Sequence, residues 1–187
     1  MGEIKKEFRY LTIPQYEQEQ DYLRTMHKSG WKLTRINSFG VYYFVKCVPE
    51  EVVYQVDYNP EGLANKAEYV QMFLDCGWEY LFDYEGYSYF RKPISKMQGE
   101  GEEHIFCDDA SKLDMMGRVY KNRIKPLIIF LFILIIPQFI NNTVGYGNRS
   151  IVQKGLAIAY LVLLILSLST IVSFTVQYYR CKNKVKE

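Results

Sequence analysis

The residues best suited to bind an anion lie near the end of a predicted strand, in the segment Tyr89-Phe90-Arg91-Lys92. The guanidinium of Arg91 can hold a phosphate or carboxylate through two parallel hydrogen bonds. The adjacent Lys92 has a counterpart in Lys46, at the equivalent end of an earlier strand. Lysines on edge strands also prevent one sheet from pairing with another, which is an explanation that needs no ligand. An anion or a nucleotide is therefore one candidate ligand.

Tyrosine is the other residue type with a potential binding role. The chain contains 17 tyrosines, most of them between residues 10 and 89, which is more than one small core can enclose. Tyrosine combines contact area with a hydroxyl group, as binding surfaces require. We expect a group of them to line either a sheet face without helices or a groove, with Tyr43, Tyr54, Tyr58 and Tyr89 as candidates for contact with a ligand or partner. The alternative is a set of strands with one face half exposed to water.

Residues for catalysis or metal binding are sparse. The histidines are His27 and His104, and the cysteines, at positions 47, 76, 107 and 181, lack the CxxC spacing of zinc sites. The sequence contains no GxSxG, GxxxxGK[ST], GxGxxG or HExxH motif. We therefore expect no catalysis, no bound metal and no cofactor, and we expect the cysteines to be reduced thiols.

An internal repeat indicates how the candidate residues are positioned. Gly30 and Trp31 recur as Gly77 and Trp78, 47 residues later. Four further positions recur with an offset of 46, namely Gly40, Tyr43, Phe44 and Lys46, which correspond to Gly86, Tyr89, Phe90 and Lys92. The repeat predicts a duplicated unit.

Each unit is predicted to fold as strand, helix, strand, strand. The first has strands at 4–11, 31–37 and 41–48 and a helix at 15–29; the second has strands at 52–58, 78–84 and 87–92, and a helix with a buried stripe of Leu63, Ala67, Val70, Phe73 and Leu74. Trp78, Tyr80, Phe82 and Tyr84 are expected on one strand face. A glycine ends each helix, and Trp31 and Trp78 fill the core. The predicted fold class is α+β: duplicated βαββ units with an antiparallel sheet and both helices on one side, similar to ferredoxin-like folds.

The last third of the chain has the composition of a membrane anchor. Residues 117–187 contain 10 Lys and Arg against one acid, and residues 1–116 contain 13 against 20. We expect transmembrane helices at 126–144 and 154–178, joined by an external loop at 145–153. They follow a cytosolic domain at 1–93, an acidic linker at 94–110 and a basic juxtamembrane helix at 111–125; a basic tail at 179–187 ends the chain. A buried hairpin of a soluble core is the alternative.

The distribution of cations predicts the orientation of the chain. Four basic residues precede the first span and four follow the second, whereas the loop has only Arg149 and Lys154. The positive-inside rule then places both termini in the cytoplasm of a two-pass plasma-membrane protein. Because the front domain is acidic, we expect no nucleic-acid partner.

Three functions are compatible with this architecture. The first is a cytosolic sensing or protein-interaction module tethered to the lipid bilayer. The second is an accessory subunit of a membrane transporter or enzyme complex, with an anion site near Arg91. The third is a structural subunit whose spans recruit other proteins or a second copy of the chain, through small residues such as Gly155 and Ala159.

The repeat also carries a family resemblance. The segments Tyr22-Leu23 to Gly30-Trp31 and Gly77-Trp78-Glu79 to Tyr89-Phe90-Arg91-Lys92 resemble the bacterial domain-of-unknown-function family numbered 2812. The likeness covers about residues 4 to 93. It implies a small membrane protein, often encoded beside PadR-like regulators, and it implies no activity and no binding residue.

Overall fold

The computed structural model describes residues 3–9, 15–60, 65–97, 109–144 and 150–184. The chain forms two compact units, Met1–Met115 and Met116–Glu187. The first unit holds both tryptophans and all of the strands in the part of the chain that the structure describes. The elements described in the second unit are helices.

The first unit contains two segments with the predicted order of strand, helix, strand, strand. The first segment comprises β1 (Ile4–Phe8), α1 (Tyr16–Lys28), β2 (Trp31–Ile36) and β3 (Val41–Lys46). The second comprises β4 (Val52–Tyr58), α2 (Lys66–Asp75), β5 (Glu79–Tyr84) and β6 (Tyr87–Pro93). The α+β class and the antiparallel pairing are confirmed.

The strands form two sheets, whereas an antiparallel sheet with both helices on one side was predicted. The first sheet has the order β1-β3-β2 and the second has the order β4-β6-β5. All seven residues of β4 are buried, so both faces of the second sheet are covered near this strand. An alternating pattern had suggested burial on one face only. The polar residues Gln55 and Asp57 occupy the other face, and they are buried as well.

The side-chain contacts arrange the first unit in four layers. Tyr22 of α1 packs edge-on against Tyr42 and Phe44 of the first sheet. Leu23 of α1 shares a core with Val56 of the second sheet, so α1 lies between the two sheets. The opposite face of the second sheet is covered by α2, whose Phe73 ring lies 4.4 Å from that of Phe90. The layers are therefore the first sheet, α1, the second sheet and α2.

An irregularity in β5 places side chains that were predicted to share one face on opposite faces of the sheet. The pairing with β6 shifts register between Tyr80 and Phe82. Tyr80 therefore packs with Phe90 on the α2 side, and Phe82 stacks on Tyr89 on the other side. The prediction that Tyr80 and Phe82 share a face is wrong because a bulge inserts one residue into the alternation. The first sheet has the same irregularity in β2, between Leu33 and Arg35.

The glycines that follow the helices have the predicted conformation. Gly30 and Gly77 have φ angles of +82° and +79°, in the region that only glycine adopts without strain. The following tryptophans differ in burial. Trp78 is buried, whereas Trp31 is partly buried, with the ammonium groups of Lys5 and Lys46 over its ring.

The predicted buried stripe of α2 is mostly exposed. Phe73 is the one buried side chain among the described residues of this helix, and Ala67 and Leu74 are exposed. Leu63 lies outside the described residues. Because α2 is the outermost layer, it contacts a sheet on one side only.

Part of the predicted linker at 94–110 is described. Residues Ile94–Lys96 form a short 3₁₀ turn, and α3 (Asp109–Val119) begins at the end of the predicted linker. Residues 98–108, including Cys107 and His104, lie outside the described residues. Cys47, Cys76 and Cys181 are free thiols.

The second unit continues from α3 through π-helical turns. These turns, Tyr120–Ile124 and Leu131–Ile135, alternate with α4 (Lys125–Phe130) and α5 (Ile136–Thr143), and α6 is Ile151–Lys184. Each π turn lies directly before a proline-bearing helix, because Pro126 and Pro137 lack the amide hydrogen that an α-helical bond needs. Of the predicted loop at 145–153, residues 145–149 lie outside the described residues.

Two helical stretches are long and apolar enough to cross a membrane. They are Lys112–Thr143, with 32 residues, and Ile151–Lys184, with 34 residues. A helix of about 20 residues spans the hydrocarbon core, so both exceed the required length. Only 17% and 6% of their most apolar parts are buried, and this exposure favours association with a membrane over a place in a water-soluble core.

Candidate functional site

The guanidinium of Arg91 forms a paired contact inside the first unit. Its Nε and Nη2 atoms donate to the two carboxylate oxygens of Glu79, at 2.6 and 2.5 Å. This fork geometry follows from the register, because Glu79 on β5 lies directly opposite Arg91 on β6. Arg91 is 8% exposed. The carboxylate that Arg91 can bind is therefore supplied by its own sheet.

Tyr54 and His27 extend this contact toward α1. The hydroxyl of Tyr54 lies 2.8 Å from Nδ1 of His27, and Tyr54 lies opposite Arg91 in the sheet. Burial raises the pKa of Tyr54, although the nearby Arg91 charge opposes that shift. The tyrosine therefore keeps its proton and can donate it to His27 in a hydrogen bond.

The surroundings of His27 favour its neutral form. Burial is the main cause, followed by the positive charges of Arg91 and Lys32, and together they lower the pKa of His27 to about 4. At Arg91, burial disfavours the charge, but the hydrogen bonds and the charge of Glu79 outweigh it and the pKa is raised. At neutral pH the cluster thus holds one ion pair and a neutral imidazole.

A second polar cluster centres on Glu19 of α1. Its Oε1 atom accepts hydrogen bonds from the hydroxyls of Tyr42 and Tyr89, each at 2.7 Å. Tyr42 belongs to the first sheet and Tyr89 to the second. Burial raises the pKa of Glu19, although both hydroxyls oppose the shift. Glu19 therefore connects three layers of the fold.

Two of the predicted site residues support the local fold. Lys92 is buried on the α2 side of the second sheet, where its Nζ donates to the carbonyl oxygen of Cys76 at the end of α2, at 3.0 Å. A cation at this position complements the carboxyl end of a helix. Tyr58 is buried, with its ring 4.8 Å from that of Tyr87.

Tyr43 and Lys46 lie on the first sheet, away from Arg91. The guanidinium of Arg35 and the ammonium of Lys6 lie 4.0 and 5.5 Å from the centre of the Tyr43 ring. Lys46 is exposed at the end of β3, and its Nζ lies 4.5 Å from the centre of the Trp31 ring. These are cation–π contacts.

The structure therefore does not bring the predicted residues into one site. Tyr54, Tyr89 and Arg91 lie on the face of the second sheet toward α1, and Lys92 lies on the opposite face. Of the predicted tyrosines, Tyr43 lies on the face of the first sheet opposite to α1. Tyr54, Tyr58 and Tyr89 are buried, so they do not line an open sheet face.

The acidic partners in both clusters were missed by the sequence analysis. Glu19 precedes Leu23 by four residues, so it lies on the buried face of α1, and an acid in that position is a signal of a buried polar contact. Glu79 follows Trp78 directly, and its partner could be found only from the strand register.

Two surfaces of the first unit carry exposed apolar side chains. The first, which we call the helix stripe, consists of Ala67, Val70 and Leu74 of α2; Leu74 is 44% exposed. The second, which we call the open face, lies on the side of the first sheet opposite to α1, and its members from β1 and β3 are Ile4, Lys6, Phe8, Val41, Tyr43 and Val45. Ile4 and Phe8 are 58% and 69% exposed.

The described residues contain no group of three or more His, Cys, Asp or Glu side chains that could hold a metal ion. The clusters around Arg91 and Glu19 are instead made of single acids paired with a guanidinium or with phenols. Their chemistry is that of buried hydrogen-bonding networks.

A family model described as "Protein of unknown function (DUF2812)" matches residues 15–130 of the chain. Because this match covers more than half of the sequence, the chain belongs to that family. No curated protein and no solved structure matches the chain.

Proposed function

We propose that this member of the DUF2812 family is a membrane-tethered module that binds another protein through its first unit, in a bacterial regulatory or sensing role and without catalysis of its own. The two apolar helical stretches support the tether. The excess of cations at their outer ends supports a two-pass arrangement in the plasma membrane, with the first unit and both termini in the cytoplasm.

The proposal includes an internal duplication of a βαββ unit, in an arrangement similar to ferredoxin-like folds. Three pairs of features support it. The strand orders β1-β3-β2 and β4-β6-β5 are equivalent, the register shifts occur at equivalent places in β2 and β5, and Tyr22 donates to Glu7 as Tyr69 donates to Asp57. Tyr22 and Tyr69 are separated by the repeat offset of 47.

The observation that carries the binding function is the exposure of the helix stripe. In the repeat, Leu74 corresponds to His27 of α1, which is 4% exposed, whereas Leu74 is 44% exposed. Val70 likewise corresponds to Leu23, which is fully buried. The same helix face is thus fully covered in the first segment, whereas in the second Val70 is half-buried and Leu74 is exposed. An apolar face of this kind is a binding surface for a partner.

Site-specific photo-crosslinking in the cell tests this function. A photoreactive side chain replaces Leu74 or Val70 in the full chain, and Glu68, which is exposed on another side of the same helix, serves as the control position. We expect a protein adduct from positions 70 and 74 and at least tenfold less from position 68. Mass spectrometry then identifies the protein in the adduct.

Equal or absent adducts at the three positions would contradict the binding function. An adduct within the same chain would also contradict it, because the stripe would then be covered by another part of the molecule. Retained tryptophan emission shows that each variant is folded, since both tryptophans belong to the first unit.

A second candidate is an accessory subunit of a transporter or enzyme complex with an anion site at Arg91. The observation in its favour is that Nη1 of Arg91 is buried and has no hydrogen-bond partner among the described residues. If an anion binds there, Glu79→Gln should strengthen binding of inorganic phosphate, because it removes a competing carboxylate. Arg91→Lys should weaken it. Unchanged affinity in both variants would count against the site.

A further inference from the structure

The interface between α1 and the second sheet joins one βαββ segment to the next. On the helix, it uses Leu23 and His27; on the sheet, it uses Tyr54 and Val56, among others. It differs from the contact that each helix makes with its own sheet, in which Tyr22 packs on Phe44 and Tyr69 packs on Phe90. The chain therefore contains two kinds of helix–sheet contact, one within a segment and one between segments.

The helix half of the contact between segments recurs on α2. Val70 and Leu74 are the counterparts of Leu23 and His27 at the offset of 47 residues. The chain has no third segment of this kind in its described residues to cover them. The helix stripe is thus an unused copy of the helix half.

The sheet half recurs on the first sheet. Ile4 pairs with Val45 as Tyr54 pairs with Arg91, and Val45 and Arg91 are separated by the repeat offset of 46. The open face therefore corresponds to the face of the second sheet that α1 covers. Tyr54 is 1% exposed in that face, whereas its counterpart Ile4 is 58% exposed.

From this correspondence we infer that two copies of the chain associate head to tail, with the helix stripe of one copy packed on the open face of the other. The inference rests on the proposed binding function and names its partner as a second copy. A second copy is the occupant because one chain carries both unused halves of an interface that it already forms internally. If the helix stripe of each copy packs on the open face of the other, both stripes and both open faces are covered in the dimer.

The charges of the two surfaces are complementary. Lys6 and Arg35 flank Tyr43 on the open face, and the one acid of its three strands, Glu7, points to the opposite side, where it accepts a hydrogen bond from Tyr22. On α2, the exposed acid Asp75 directly follows Leu74 of the helix stripe. Such an arrangement favours the unlike surfaces over contact between two equal ones.

The internal interface also predicts which residues meet. His27 and Tyr54 are in contact at 2.8 Å, so their counterparts Leu74 and Ile4 should be neighbours across the two copies. Because both counterparts are apolar and exposed, they can pack without a buried polar group.

Disulfide formation between two differently tagged full-length chains tests this pairing in membranes. All native cysteines are replaced by serine; one chain carries Leu74→Cys and the other carries Ile4→Cys. We expect a disulfide-linked pair that contains both tags. As a control, the first chain carries Glu68→Cys, on another side of α2, in place of Leu74→Cys. The yield of the disulfide-linked pair should then be lower by at least about tenfold.

Equal yields from positions 68 and 74, or no mixed pair, would overturn the inference. Disulfides between two Leu74→Cys chains in excess of the mixed pair would also overturn it, because they indicate contact of equal surfaces. If position 74 instead crosslinks to a different protein, the binding function stands and the self-association fails. If position 74 crosslinks to no protein, both fail.

A second measurement avoids new cysteines. Leu74→Glu should lower the association constant of the full chain in detergent at least about tenfold, as measured by energy transfer between labelled copies. Met72→Glu is the matched control, because Met72 is an exposed apolar residue on another side of the same helix, and it should leave association unchanged. An equal effect of both substitutions would contradict the inference.

Discussion

His27 and Glu19 lie about two turns apart on the buried face of α1, and their pKa values are shifted in opposite senses. Burial disfavours charge at both residues, so it lowers the pKa of the base and raises the pKa of the acid. The folded state therefore favours the neutral form of each. The stability of the first unit should depend on pH through these residues in opposite ways.

His27 should make the first unit less stable in acid. Because its pKa falls from 6.5 to about 4 on folding, the folded state binds the proton more weakly than the unfolded state. Stability is then full above pH 6.5 and is lost as the pH falls toward 4, by up to about 3 kcal/mol. His27→Gln should remove this loss. Denaturant unfolding of the full chain in detergent, followed by tryptophan emission, measures it; parallel pH profiles for both proteins would contradict the prediction.

Glu19 should act in the opposite direction. Its pKa is raised above 4.5 on folding, so its contribution to stability is largest below pH 4.5 and declines as the pH rises through the folded-state value. Glu19→Gln keeps an oxygen acceptor for the two phenols and should abolish that decline. Tyr89→Phe is a useful comparison, because it should cost about 0.5–1.5 kcal/mol by removing one hydrogen bond to the Glu19 carboxyl group. A Glu19→Gln protein with the decline of the wild type would refute the assignment.

The helices, strands and turns could be predicted from local patterns, and the layers could not. The paired Gly-Trp positions and the alternating strands placed both βαββ segments within a few residues of their observed bounds. The burial of β4 on both faces was hidden because Gln55 and Asp57 look like solvent-facing residues; in the fold they accept hydrogen bonds from Gln20 and Tyr69. The bulge in β5 was also hidden, since an inserted residue leaves no distinct mark in an aromatic strand.

The same limit applies to the candidate site. Arg91 was recognised as a group that binds carboxylates, but its partner Glu79 depends on the pairing of β5 with β6. A sequence shows which side chain is suited to a contact, whereas register decides which residue fills it. The exposed helix stripe was predicted as buried for a related reason. Its apolar spacing is genuine, but among the described residues a second sheet packs on α1 and none packs on α2.

The two turns from helix to strand should differ in their tolerance of a side chain. Alanine at Gly30 or Gly77 must adopt a left-handed conformation, at a cost of about 1–2 kcal/mol. At Gly30 the added Cβ would also lie 3.1 Å from the carbonyl oxygen of Cys47, whereas at Gly77 the nearest atom is Cε of the flexible Lys92 side chain, at 3.5 Å. We therefore expect Gly30→Ala to be the more destabilising. Chemical unfolding of the full chain measures both, and the reverse order would show that the Cys47 carbonyl moves easily.

At the scale of the whole molecule, the two units differ in the kind of side chain that they expose. The first unit, Met1–Met115, places apolar side chains inside and pairs most of its buried polar groups. The helices of the second unit expose large apolar residues along their length, among them Phe132, Ile158 and Leu166. Exposure of this kind is stable in lipid, where the helices satisfy their own backbone hydrogen bonds.

The distribution of cations leads to the prediction that both ends of the second unit face the same side of the membrane. Arg118, Lys121, Arg123 and Lys125 precede the first span, and Arg180, Lys182, Lys184 and Lys186 follow the second. In a protein without its native cysteines, Asn183→Cys should react with an impermeant maleimide only after the cell is lysed, whereas Ser150→Cys should react in intact cells. Changing the four cations before the first span to glutamine should make the orientation mixed, because the charge bias then rests on the tail alone. If Ser150→Cys is protected in intact cells and Asn183→Cys is labelled, the first unit cannot act in the cytoplasm, and its partners would have to be sought outside the cell.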